Sequence, residues 1–253
     1  KEASDMTIQD NSFSTIANAV MWGRSLYKNI QRFLLFQLTV NVTACLLVLC
    51  GAFMGTESPL TVTQMLWINL IMDTFAAIAL ASLPPSRKVM EDKPRDRRAS
   101  ILTPTMRKDI IGVGLFFFFL LVAMLYIFEH GDYTSMRELF LNFQLGERDG
   151  LSTYELTLLF TTFVMTHFFY LFNARAFETG RSAINFKGCG GLITIVVIIL
   201  VGQVAMVEIP GIQQFFNVEG LKLQDWIFII VGSSLVLWVR ELWHLVTKNS
   251  SCS

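Results

Sequence analysis

Asp73 lies near the middle of an apolar stretch that runs from Met65 to Leu83. If that stretch crosses a bilayer, an ionisable group at such depth costs about 2.5 kcal/mol or more, so it is a candidate for function by default. Asn69 precedes it by four residues, a spacing that turns both oxygens the same way on an α-helix. A second apolar stretch, Phe33 to Met54, carries Gln37 and Asn41 at the same spacing, with Thr39 and Thr43 on an adjoining stripe. Two facing helices could present a carboxylate and two carboxamides at one depth. Hard cations such as Ca²⁺ take about six to eight oxygen ligands. Asn41, Asn69 and Asp73 are a partial set, and the remaining ligands must come from elsewhere. The competing reading puts both asparagines in interhelical hydrogen bonds and keeps Asp73 neutral by burial.

Other polar residues in apolar stretches carry weaker signals. His167 lies among Thr162, Thr166, Tyr170 and Asn173 and could carry a proton or bind a metal, or act as an interhelical donor. Gln203 is a lone polar residue with that same structural default. Cys45, four residues after Asn41, could add a soft ligand, although a structural helix cysteine explains it better. The four cysteines, at 45, 50, 189 and 252, show neither a CxxC pair nor metal-ligand spacing, so they support neither a disulfide framework nor a zinc site.

The elements that must hold these residues follow from composition. Over 253 residues, 53% hydrophobic and 16% charged do not fit a soluble domain, and the apolar excess calls for lipid as a partner. Twenty Lys and Arg balance 20 Asp and Glu, so nothing points to nucleic acid. A hydrocarbon core about 30 Å thick needs about 20 apolar residues. Six stretches approach that length: Phe33 to Met54, Met65 to Leu83, Ile110 to Phe128, Leu156 to Phe172, Cys189 to Val207 and Trp226 to Val246. The fold expected is an all-α polytopic membrane protein. Seventeen of the 20 Lys and Arg fall on the side that holds both termini, which predicts cytoplasmic ends. Eight of them crowd the segment from Pro84 to Lys108, either as a docking surface for a soluble domain or anionic lipid, or as a topology anchor.

The first span starts before the membrane. Ile16, Val20, Tyr27 and Ile30 recur with helical period from a Ser12 N-cap, and no proline intervenes before Met54. A continuous helix of that length is about 60 Å long, twice the hydrocarbon thickness. A cytoplasmic stalk is therefore expected, with an apolar face that needs a protein partner.

Taken together, these strings resemble the carboxyl-terminal part of the P-type cation-transporting ATPases, most like the plasma-membrane-type calcium pumps. The resemblance rests on K-E-A-S-D at Lys1 to Asp5, D-N-S-F at Asp10 to Phe13, W-G-R at Trp22 to Arg24, F-Q-L-T-V-N-V at Phe36 to Val42, S-P-L at Ser58 to Leu60 and Q-M-L-W-I-N-L-I-M-D-T at Gln64 to Thr74. It implies that the six spans correspond to family helices five to ten. Residues 1–11 would end the phosphorylation domain, 12–54 form the stalk and first span, 65–83 the second, 84–109 a basic cytoplasmic loop, 110–247 a four-helix region and 248–253 a tail.

The resemblance also implies roles. Asn41, Asn69 and Asp73 match positions that coordinate Ca²⁺ in the family's membrane site, where the fourth helix adds a Glu and backbone carbonyls. Gln37, Thr43 and His167 are accessory candidates, and Arg87, Lys88, Asp92 and Arg95 belong to a loop that couples to the phosphorylation domain. Ala44 and His167 stand where two-site pumps place carboxylates, and Met72 where they place Thr, which suggests one ion per cycle. The D-K-T-G-T and T-G-D-G motifs, which use ATP and Mg²⁺, are not among these residues, so this chain alone is expected to be inactive without the N-terminal part of the same pump. The expected location is the plasma membrane. The alternatives are a pump for Mn²⁺, Na⁺/K⁺ or Mg²⁺, and a six-span secondary transporter or channel with Asp73 and His167 as a relay.

Overall fold

The structure, a computed structural model, describes residues 7, 9–10, 12–55, 58–94, 96, 98–131, 135–136, 150–179, 182–184 and 190–250. The expected segment 1–11 lies mostly outside these residues, as do Arg95, Cys189 and Cys252. Described residues are helix, turn or coil throughout, and six helices are long and apolar enough to cross a membrane. They are α1 (Phe13–Met54), α2 (Val62–Ala81), α3 (Pro104–Glu129), α4 (Thr153–Arg175), α5 (Gly190–Glu208) and α7 (Leu223–Ser250), with a short α6 (Pro210–Phe216) between the last two.

The stalk expectation holds: α1 runs 42 residues without a break, about 63 Å at helical rise. Ser12 takes the extended N-cap conformation, but its hydroxyl meets Ser14 Oγ at 2.7 Å instead of capping the backbone. Gly55, at φ 74°, ends the helix in the left-handed conformation that glycine adopts without Cβ cost, and its N–H returns to the carbonyls of Gly51 and Ala52. Ile16, Val20 and Ile30 on the stalk are each 42% exposed, so their apolar face is uncovered.

Capping chemistry sets the other starts. Thr61 with Gln64 and Ser152 with Glu155 form capping boxes, and Thr103 caps α3 ahead of Pro104. Helix α6, which hydropathy does not reveal, begins at Pro210 and stops at left-handed Asn217.

Helix α4 is the centre of the bundle. Its most apolar window is 89% buried, against 22–41% for the other spans. It packs against α1, α3, α5 and α7, while α1 also lies along α2 and α3, and α2 along α5. A helix shielded from lipid on all sides can carry threonines, a histidine and an asparagine that a lipid-facing helix could not.

A close seam joins α1 and α3 at Gly114. Thr43 Oγ1 lies 2.9 Å from the Thr39 carbonyl and 3.3 Å from that of Gly114. A Cβ on Gly114 would stand 3.4 Å from Val42 Cγ1. Gly114→Leu should therefore cost about 2 kcal/mol and lower the melting midpoint in detergent, whereas Gly112→Ala, which meets nothing within 4 Å, should not. Equal midpoints would show that the seam does not constrain the fold.

Candidate cation site

Helix α2 is not α-helical throughout. From Trp67 to Met72 it is wound as a π-helix, and the N–H of Asp73 reaches back five residues to the carbonyl of Ile68. Such segments appear mostly as single turns within α-helices, frequently at functional sites. The i, i+4 relation inferred for Asn69 and Asp73 assumed α-geometry, and the wider turn alters it. The two side chains differ in environment. Asp73 is 4% exposed, and neither carboxylate oxygen has a hydrogen-bond partner among the described residues. Asn69 is exposed, on a face shared with Leu66, Leu70, Thr74 and Ile78.

On α1, Asn41 and Gln37 are half-buried. Thr39 is fully buried, with Oγ1 donating to the Leu35 carbonyl at 2.8 Å and lying 3.4 Å from the Tyr170 hydroxyl of α4. Thr43, a candidate accessory ligand, is engaged in the α1–α3 seam, so its one hydroxyl proton is already directed at carbonyls. Cys45 is exposed, and Cys50 Sγ lies 3.8 Å from Met54 Sδ.

His167 is fully buried between aromatic rings, Phe163 at 4.3 Å on its own helix and Phe117 at 5.0 Å on α3. Its Nδ1 lies 2.7 Å from the Phe163 carbonyl. A carbonyl only accepts, so Nδ1 carries the proton and Nε2 keeps its lone pair, with no partner among the described residues.

Toward its N-terminal end the stalk grips the loop that follows α2. Arg24 donates from one guanidinium nitrogen to the carbonyls of Val89 at 3.0 Å and Asp92 at 2.9 Å. Lys28 pairs with Asp92 at 2.6 Å, and the Ser86 N–H donates to Ser25 Oγ at 3.2 Å. Asn29 donates to the carbonyls of Leu83 at 3.2 Å and Ala81 at 3.5 Å, the latter at the end of α2. Val89 is buried within a 3₁₀ turn, Arg87–Met90, while Arg87 and Lys88 are exposed. Sequence reasoning named Asp92 along with the basic residues Arg87, Lys88 and Arg95, and of the described ones among these Asp92 is the side chain that the stalk holds. The other groups that fasten the loop are main-chain carbonyls and the Ser86 N–H, which leave no mark in a sequence. The residues that grip them, Arg24, Ser25, Lys28 and Asn29, recur at helical spacing on one stalk face, a signal that was legible but unread.

The carboxylate of Asp73 thus sits on a membrane-spanning helix of a bundle tied to a long stalk. The family model for the cation transporting ATPase C-terminus matches residues 57–246, Asp73 included. The chain belongs to the P-type cation-transporting ATPases. Across its whole length it is 34% identical over 257 residues to the plasma membrane calcium-transporting ATPase 3 of Homo sapiens, covering 20% of that protein. It is 37% identical over 260 residues to the plasma membrane calcium-transporting ATPase mca-1 of Caenorhabditis elegans, covering 98% of this chain and 19% of that protein. A plasma membrane calcium-transporting ATPase 2 of Oreochromis mossambicus is 36% identical over 241 residues, at 94% and 21% coverage. The chain spans about a fifth of the length of these pumps.

Asp73 is a buried polar group, and nothing among the described residues offsets its desolvation. Replacing such a group by an apolar one of similar volume is often stabilising. Asp73→Leu should raise the melting midpoint measured in a metal chelator by an amount equivalent to about 1–2 kcal/mol. A lower midpoint would mean that protein donors already satisfy the carboxylate.

Proposed function

We propose that this chain is the membrane part of an ATP-driven Ca²⁺ export pump of the plasma membrane, with Asn41, Asn69 and Asp73 as its contribution to a single transport site. The observation that carries the proposal is the buried, unpartnered carboxylate of Asp73. An ionised carboxylate in an apolar interior needs compensating positive charge, and a hard cation with oxygen ligands provides it. The named activity of the relatives favours Ca²⁺ over Mn²⁺, Na⁺/K⁺ or Mg²⁺. Membership of the ATPase family sets aside a secondary transporter or channel.

The site needs more oxygens than these three residues supply. They would come from helices of the pump that are not in this chain, seated on the face of α2 where Asn69, Leu70 and Thr74 are exposed. Gln37 would supply a further carboxamide on α1. His167 would act only through packing, because its ring lies among Phe117 and Phe163. Both termini would be cytoplasmic, a reading that the distribution of Lys and Arg supports. ATP and Mg²⁺ would act in cytoplasmic domains mounted on the uncovered stalk face, around Ile16 and Val20.

Coupling would run through α1. Phosphorylation would tilt the stalk, and α1 would carry that motion along its unbroken length to Asn41. The clamp of Arg24, Lys28 and Asn29 would carry it in parallel to the end of α2, and hence to Asp73. Ca²⁺ would leave on the outer side, and protons would neutralise Asp73 for the return.

Two experiments on the full-length pump test this reading. Asp73→Asn should abolish Ca²⁺-dependent phosphorylation by ATP, and normal Ca²⁺ dependence in that variant would refute the ligand assignment. Arg24→Ala removes both bonds to the loop and should slow Ca²⁺-dependent turnover about tenfold, with half-saturating Ca²⁺ little changed. Unaltered turnover would show that the clamp does not transmit the motion.

A further inference from the structure

Trp67 opens the π-helical turn, six residues before Asp73, and neighbouring helices hold it from three directions. Its Nε1–H donates to Oε1 of Gln203 on α5 at 3.2 Å. Its ring meets Phe216 of α6 edge-on, with centroids 5.6 Å apart. Gly202 leaves room for the six-membered ring: a Cβ there would stand 3.1 Å from Cη2 and 3.3 Å from Cζ2. One turn earlier, Gln64 adds a bond from Nε2 to the Phe216 carbonyl at 3.2 Å. Gln203 is 1% exposed. The indole can only donate, so it fixes the amide with Oε1 toward Trp67, and Nε2 is left buried without a partner among the described residues. An orphaned buried donor is costly, so this glutamine would be poorly placed if its sole purpose were to fill α5.

We infer that Gly202 and Gln203 form a seat for Trp67 that fixes the winding of α2, and thereby the direction from which Asp73 meets the transported cation. The inference rests on the cation-site reading above. In an α-helix each residue advances about 100° around the axis, so absorbing one residue into a wider turn rotates everything that follows. Asp73 follows the wide turn directly, with its N–H bonded to Ile68 at the far side of it. When the seat is lost, α2 rewinds toward an α-helix and Asp73 turns away from its ligating direction. Gly202 and Gln203 are positioning residues, since they act on the cation only through Trp67.

The test is equilibrium binding of radioactive Ca²⁺ to the purified full-length pump. Gly202→Ala pushes a methyl against a rigid ring, and Gln203→Leu removes the acceptor at similar volume. Each should raise the half-saturating Ca²⁺ concentration about tenfold. Gly191→Ala on the same helix, where a Cβ would meet only Ser82 Oγ at 3.7 Å, should leave it unchanged. Trp67→Phe withdraws the ring edge that the new methyl strikes, so Gly202→Ala with Trp67→Phe should bind no more weakly than Trp67→Phe alone. Phosphoenzyme formation from inorganic phosphate without Ca²⁺, the reverse of hydrolysis, should persist in all variants, which separates a shifted site from a misfolded pump. Unchanged half-saturation in both Gly202→Ala and Gln203→Leu, or effects of Gly202→Ala and Trp67→Phe that simply multiply, would overturn the seat while leaving the cation site standing. Absence of Ca²⁺ binding in the wild-type pump would overturn the cation reading and the seat with it.

Discussion

A carboxylate with both oxygens buried and no partner among the described residues, on a helix that crosses a membrane, is an arrangement that folding energetics disfavour. Retaining Asp73 there calls for something that repays the loss, and we assign that role to a cation visiting the site during transport. The rest of the bundle can be understood as the support for that one group. Helix α2 changes its winding just before Asp73, α1 lies alongside with Asn41 half-buried, and α5 and α6 grip Trp67 at the start of the wide turn. Each feature sacrifices some local stability, through a non-α turn, an orphaned amide and an uncovered face with Asn69. Concentrated stability losses of this kind are what a site kept open for a ligand requires.

The second constraint is mechanical. In the proposed pump, a site that alternates between two sides of a membrane must be moved from outside it, and α1 would be the rod that does so. Its hydrogen bonds divide by depth. In the membrane, Thr39 and Thr43 tie it to α4 and α3. Below that, Arg32 reaches the Phe177 carbonyl at 3.4 Å after α4, and Arg24, Ser25, Lys28 and Asn29 hold the loop after α2. The stalk is therefore fastened to the elements around it toward its N-terminal end, where, in the proposed pump, a push from ATP-driven domains would arrive.

Much of the architecture was legible in the residues. The six spans were found to within a few positions because hydropathy reports burial in lipid directly, and the stalk because its period continued without a proline. Asp73 stood out because charge is rare at that depth. What escaped notice depended on geometry that side-chain types do not encode. Nothing in W-I-N-L-I-M announces a π turn, so Asn69 and Asp73 were assigned one face although one is exposed and the other buried. Thr43 looked like a spare oxygen, yet Gly114 brings a backbone carbonyl to it across a seam that no single helix reveals. Gln203 was given a bland role because its partner, Trp67, lies more than a hundred residues away. The polar residues of α4 were a sign of enclosure, and this helix is the most enclosed of the six. Arg95 and most of residues 1–11 lie outside the described residues.

The central claim is that the Asp73 carboxylate is a ligand of the transported ion. A density map of the full-length pump prepared with Ca²⁺ tests it most directly. The ion should lie about 2.3–2.6 Å from an Asp73 oxygen, with the side-chain oxygens of Asn41 and Asn69 in the same coordination shell. A map in which the carboxylate is held by protein donors while Ca²⁺ is bound elsewhere would contradict it.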